Sequence, residues 1–166
     1  MTRSEVRVLS APPFNSLMDL QFLFKADQTF GGTKGLVFFD DTHILVYERD
    51  SNTSFYAHHL DLPGGGSERN ESPFEKFARE LKEEFDLDVK PSAITYARTY
   101  PSMKDPTIPS WFLVAHLPNI SSTSIHFGPE GTRYAVMALD ALLASPKIIP
   151  ALRERIQDYL ECTKDN

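Results

Sequence analysis

Residues 62–89, LPGGGSERNESPFEKFARELKEEFDLDV, constrain the fold more than any other stretch of this chain. At about 3.6 residues per turn, Glu80, Glu83 and Glu84 stand at i, i+3 and i+4 and bring three carboxylates to one side of a helix. Phe74, Phe77, Ala78, Leu81 and Phe85 repeat with the same period on the other side, a stripe that has to be buried. Ser72 suits the N-cap, Pro73 the first helical position, and Glu75 completes a capping box with Ser72, so the spacing predicts a helix that starts here. Gly64, Gly65 and Gly66 before it permit positive φ and a close approach of backbone to another group. Three adjacent glutamates repel one another by roughly a few tenths of a kcal/mol per exposed pair. A hard divalent cation reverses that sign, because Mg²⁺ and Mn²⁺ take carboxylate and carbonyl oxygens.

A solvated surface is the ordinary fate of an acidic helix face. The spacing here is more restrictive than a charge run. Gly65, Glu71, Arg79-Glu80-Leu81, Glu83-Glu84 and an apolar Leu87 together resemble the signature of the Nudix (MutT-like) hydrolases, with Asp86 standing where the family has glycine. That position falls near the helix C-terminus, where a left-handed residue ends the last turn and Asp costs of order 1 kcal/mol.

The resemblance implies an α/β fold, the Nudix α/β/α sandwich with a mixed β-sheet, over roughly residues 30–165. It also implies hydrolysis of a diphosphate bond in a nucleoside diphosphate linked to another group, such as a nucleoside triphosphate or nucleotide sugar, with Mg²⁺ or Mn²⁺ as cofactor. On that reading Glu83 and Glu84 ligate metal, and Glu80 is either a ligand or the base that takes the proton from water. A backbone carbonyl around Gly65 adds an oxygen. Glu130, in an acid-glycine pair, is similar to a loop glutamate that joins the metal site in mutator-type members; Glu80 and Glu130 both stay open as the base. Arg79 and Glu71 hold the loop and the glutamates in register.

The chain before the helix reads as a hairpin, Gly35 to Phe39 and His43 to Glu48 around an Asp40-Asp41 turn, then a variable loop and a short strand over residues 57–62. After it, residues 93–100 and 109–117 read as strands, the second apolar on both faces and therefore central. Residues 101–107 form a rim suited to a binding site. A strand over residues 133–139, a helical turn from Asp140 and an amphipathic helix from Pro150 to Cys162 complete the order. His58 and His59 alternate faces on a regular strand and cannot share a metal there. Tyr47, Phe55, Tyr56 and Trp111 are candidates to stack on a base, Trp111 being better explained by the core. Arg153, Arg155 and Lys164 are expected to be solvated, with no role in the site.

With 166 residues the chain suits one domain, residues 1–166, in which residues 1–30 form an N-terminal extension: a short strand near Val6 to Leu9, and a short helix or an irregular cover for the core near Leu17 to Lys25. That extension offers material for substrate selection or a homodimer contact, plain packing being the better explanation. A net charge of −6 argues against nucleic acid as partner and leaves a small nucleotide or nucleotide derivative. The single cysteine, Cys162, excludes an internal disulfide and a cysteine zinc cage. With no membrane-length apolar run, the expected location is the cytoplasm. The alternative to an enzyme is a Nudix-like module that binds nucleotide as a sensor without turnover. The presence of Glu71, Glu80, Glu83 and Glu84 favours the enzyme.

Overall fold

The computed structural model describes residues 21–26, 28–67, 70–129 and 131–164. Strands β1 (Thr33–Phe38) and β2 (His43–Glu48) make the expected hairpin. Asp40 closes its turn by accepting from the Thr42 and His43 amides, each at 2.7 Å. These strands meet only at Phe38 and Ile44 and then diverge. β2 continues antiparallel to β6 (Arg133–Ala138) along its whole length, while β1 runs parallel to β5 (Pro109–His116). β4 (Ile94–Pro101) closes that side, antiparallel to β5. β5 is thus the central strand that its two apolar faces predicted.

The fork between β1 and β2 is filled by the chain that leads to the glycines. β3 (Leu60–Asp61) pairs with β2. A few residues on, the same segment lies along β1, where the Gly35 amide donates to the Pro63 carbonyl at 2.9 Å and the Thr33 amide to the Gly65 carbonyl at 3.0 Å. The strand expected over residues 57–62 is therefore shorter. Tyr56 and His58 have φ of 52° and 60°, a left-handed conformation that breaks an extended run. His58 and His59 lie in a turn, not on a strand.

Helices cover both faces of the mixed sheet, giving the α/β/α sandwich. On one face α1 (Pro73–Phe85) buries Phe77, Leu81 and Phe85 completely against Val37, Leu45, Trp111 and Leu113. A Cβ on Gly35 would lie 2.1 Å from the Phe77 ring, so the bare backbone of β1 is what lets α1 sit this close. On the other face α2 (Leu139–Ala144) and α3 (Pro150–Thr163) bring Leu142, Leu152 and Ile156 onto Leu36, Ile44, Phe112 and Val114.

The ends of α1 follow the sequence. Ser72 and Glu75 form both halves of the capping box, with Pro73 at the start. Asp86 adopts φ 55° and ψ 35° and donates its amide to the Leu81 and Lys82 carbonyls, so aspartate does hold the left-handed cap. Of the N-terminal extension, residues 21–23 form a helical turn that buries Leu23 and leaves Phe22 exposed. The strand expected at residues 6–9 and the start of the helix near Leu17 lie outside the described residues. No helix among the described residues is long and apolar enough to cross a membrane.

Candidate active site

The acidic face of α1 is held by an arginine. Arg79 donates Nε and Nη2 to the two carboxylate oxygens of Glu71 at 3.1 and 2.7 Å, and Nη1 to Glu83 at 2.9 Å and Glu80 at 3.3 Å. The forked guanidinium suits this, since its donors lie in one plane and match a carboxylate pairwise. The hydrogen bonds to Glu71 lead the effects that raise the Arg79 pKa above its ordinary value. Glu75, the other acid one turn away, is used in the capping box instead.

The three helix glutamates occupy different environments. Glu83 is half-exposed and pairs with Arg79. Glu84 is buried, its Oε2 at a long 3.5 Å from the Gly64 amide. Glu80 lies against the glycine strip, where a Cβ on Gly65 would come within 3.2 Å of its carboxylate. Lys76, one turn before it and almost completely buried, also donates to Glu80. Among the described residues no three His, Cys, Asp or Glu side chains are gathered into a ready-made metal cage. Glu130 lies outside the described residues.

The glycines divide their tasks. Of Gly64, Gly65 and Gly66, Gly64 alone has positive φ, 126°. The Gly65 carbonyl accepts from Thr33 and presses on Gly32, where a Cβ would come within 2.3 Å of it. It keeps a second lone pair. Glu80, Glu83, Glu84 and this carbonyl offer hard oxygens, the kind that suits Mg²⁺ or Mn²⁺.

A cleft of about 310 Å³ runs from this point across the sheet ends. Its walls are the glycine strip with Glu80, the start of β1, Ser102 to Lys104 after β4, Phe55 and Tyr56 from the β2–β3 loop, and Arg155 from α3. Of the rim expected over residues 101–107, Ser102 to Lys104 line the cleft. Phe55 and Tyr56 are about half-exposed in it, whereas Trp111 is buried in the core and does not line it. Tyr47 also faces the cleft, but its ring is buried and its hydroxyl donates to Asp61 at 3.0 Å, so it is a structural anchor and not a free stacking surface.

Asp61 is the buried charge beneath this wall. It accepts from Lys34 Nζ at 2.8 Å and Arg49 Nη1 at 2.7 Å. Burial alone would raise its pKa, yet the two cations hold it below the usual carboxylate range. Lys34 goes on to the carbonyls of Leu62 at 3.1 Å and Gly64 at 3.3 Å, which fixes the approach to the glycine strip. Neither Lys34 nor Asp61 stands out in the sequence: each is one charged residue within a strand-like run.

Arg155 is not solvated, contrary to expectation. It is 3 % exposed and lines the cleft. Arg153 is also held, donating to the Leu143 and Ser145 carbonyls, the second at 2.8 Å.

Comparison with known proteins agrees with this architecture. Residues 31–159 match the NUDIX domain family, and the chain belongs to that family. A MutT protein from Methanosarcina mazei Go1 has a similar structure, with 19% identity and a TM-score of 0.66 over 83% of this chain and 98% of that one. A bifunctional NMN adenylyltransferase/ADP ribose pyrophosphatase from Francisella tularensis, complexed with AMP and Mn ion, gives 22% identity and a TM-score of 0.65 over 87% of this chain and 44% of its own. An Ap4A hydrolase from C. elegans gives 13% and 0.61, over 81% of this chain and 99% of its own. At these identities the likeness is one of fold. A search of curated protein sequences gave no match. Family membership supports a pyrophosphohydrolase type of activity in general, without specifying a substrate.

Proposed function

We propose that the protein hydrolyses a diphosphate bond in a small nucleotide, a nucleoside diphosphate linked to another group, with Mg²⁺ or Mn²⁺ held by Glu80, Glu83 and Glu84. The observation that carries this reading is the Glu71–Arg79 clamp, which draws Glu80 and Glu83 toward one guanidinium beside a cleft that Glu80 lines. A divalent cation there would neutralise phosphate charge and activate a water. The Gly65 carbonyl and the glutamates would supply its oxygen ligands, with Glu80 or Glu130 as the base. Arg79 and Glu71 act through the others by fixing their geometry. Phe55 and Tyr56 offer exposed rings on which the rest of the nucleotide can lie.

A nucleotide sensor without turnover is the second reading, and one observation favours it: buried Lys76 already pairs with Glu80. Release of phosphate or pyrophosphate from a nucleotide panel with Mg²⁺ and Mn²⁺ separates the two. We expect turnover of at least one compound, and a loss of at least about 10²-fold in Glu83→Gln and Glu84→Gln with circular dichroism unchanged. Tight binding with no hydrolysis across the panel would hand the site to the sensor reading.

A further inference from the structure

The cleft wall carries four cations, Lys34, Arg49, Lys104 and Arg155, against one carboxylate, Glu80, in a chain whose net charge is −6. Two of the four are committed. Lys34 and Arg49 share Asp61, and Arg49 uses its other donors on the Phe55 carbonyl and the Thr53 hydroxyl.

Arg155 is different. Its Nη2 donates to the Pro101 carbonyl at 2.9 Å and its guanidinium lies 5.1 Å from the centre of the Tyr100 ring. Its Nη1 is buried with no acceptor, and no carboxylate among the described residues forms an ion pair with it. Burial lowers its pKa to about 10, against the weaker opposing pull of Tyr100, Asp61 and Glu154, and leaves it charged at neutral pH. A buried charge without a direct ion-pair partner is costly and is retained where something outside the fold compensates it.

Glu80 and Arg155 come from helices on opposite faces of the sheet. The glycine strip and the Pro101 end of β4 are separated by β1 and β5, three strand spacings or on the order of 14 Å. A substrate that spans the cleft can therefore set one anionic group beside Glu80 and another at Arg155.

We propose that Arg155 receives a second anionic group of the substrate, a carboxylate or phosphate on the part of the molecule remote from the cleaved diphosphate. This rests on the hydrolase reading for the position of that diphosphate, and it names the substrate class: a nucleotide derivative that carries an extra negative charge at its far end.

Two matched pairs test it, UDP-glucose against UDP-glucuronic acid for a carboxylate and NADH against NADPH for a phosphate, each with Mg²⁺. For each pair both kcat/KM and a calorimetric Kd are measured in the wild type, Arg155→Met and Arg155→Lys. The expected result is a preference of about 10-fold or more for the charged member of at least one pair. The responding pair identifies the source of the anion. That preference falls to near unity in Arg155→Met and is partly kept in Arg155→Lys. Arg155→Met also leaves the Tm equal or higher, where a purely structural arginine predicts a fall. Should Arg155→Met not fold, Arg155→Lys carries the test. Absence of turnover with a charge preference in the Kd values sinks the hydrolase reading and keeps the anion site. No preference in either pair, or one that Arg155→Met leaves intact, overturns the anion site.

Discussion

The two walls of the cleft treat charge in opposite ways. On the α1 side every described acid of the signature is engaged: Glu71 and Glu83 with Arg79, Glu80 with Arg79 and Lys76, Glu84 near the Gly64 amide. On the α3 side the buried guanidinium of Arg155 keeps a donor without an acceptor. The first wall is organised before anything binds, so its geometry is protected and its charges are mutually screened. The second wall is left incomplete, and completing it is work for a ligand. A paired buried charge stabilises only while its partner stays, whereas an unpaired one can be removed at little cost to the fold.

The largest break of this contrast is expected at Asp61. Asp61→Asn leaves Lys34 and Arg49 without their anion in a buried place and should cost about 3–5 kcal/mol in urea denaturation, against no loss for Arg155→Met. The sign with pH follows from its depressed folded pKa. The contribution of Asp61 is complete above the ordinary carboxylate range and is lost as pH falls through the lower folded value, so the wild type should lose stability at acid pH more steeply than Asp61→Asn. Next comes Arg79. Arg79→Met should reduce kcat/KM by about 10- to 100-fold with Tm nearly kept, and the double variant with Glu71→Gln should lose little more than either alone, because both remove one clamp. The smallest effect is expected at Gly65. Its Cβ would press on the Glu80 carboxylate at 3.2 Å, so Gly65→Ala should displace that group by a few tenths of an ångström. We expect a stability change below about 1 kcal/mol and a fall in kcat/KM of about 10-fold, read from parallel melts and kinetics.

Much of the α1 wall was legible because helical period, capping chemistry and charge spacing all fall within one contiguous segment. Ser72, Glu75 and even Asp86 take the places that local rules assign them. The opposite wall was not legible for two reasons. Lys34, Asp61 and Arg155 come together only through the sheet order, which no short window of sequence encodes. Arg155 was also read by its charge and not by its position. It lies three residues after Leu152 and four before Tyr159, on the stripe that α3 turns to the sheet, and that spacing was the available signal. The histidines fail for a local reason, since left-handed Tyr56 and His58 end any strand before it reaches Leu60. The turn chemistry of a variable loop is poorly constrained by residue type when no glycine marks it.

Loops between strands commonly accept extra residues, because one end can bulge without disturbing the other. The run from Leu60 to Gly66 has no such freedom. It is stitched to β2 at one end and to β1 at the other, so a single added residue would slip either the Asp61 carboxylate away from Lys34 or Gly65 away from Glu80. The spacing between the charged anchor and the catalytic-side glycine is in effect a ruler, and homologous chains that keep both functions should vary in composition here but not in length.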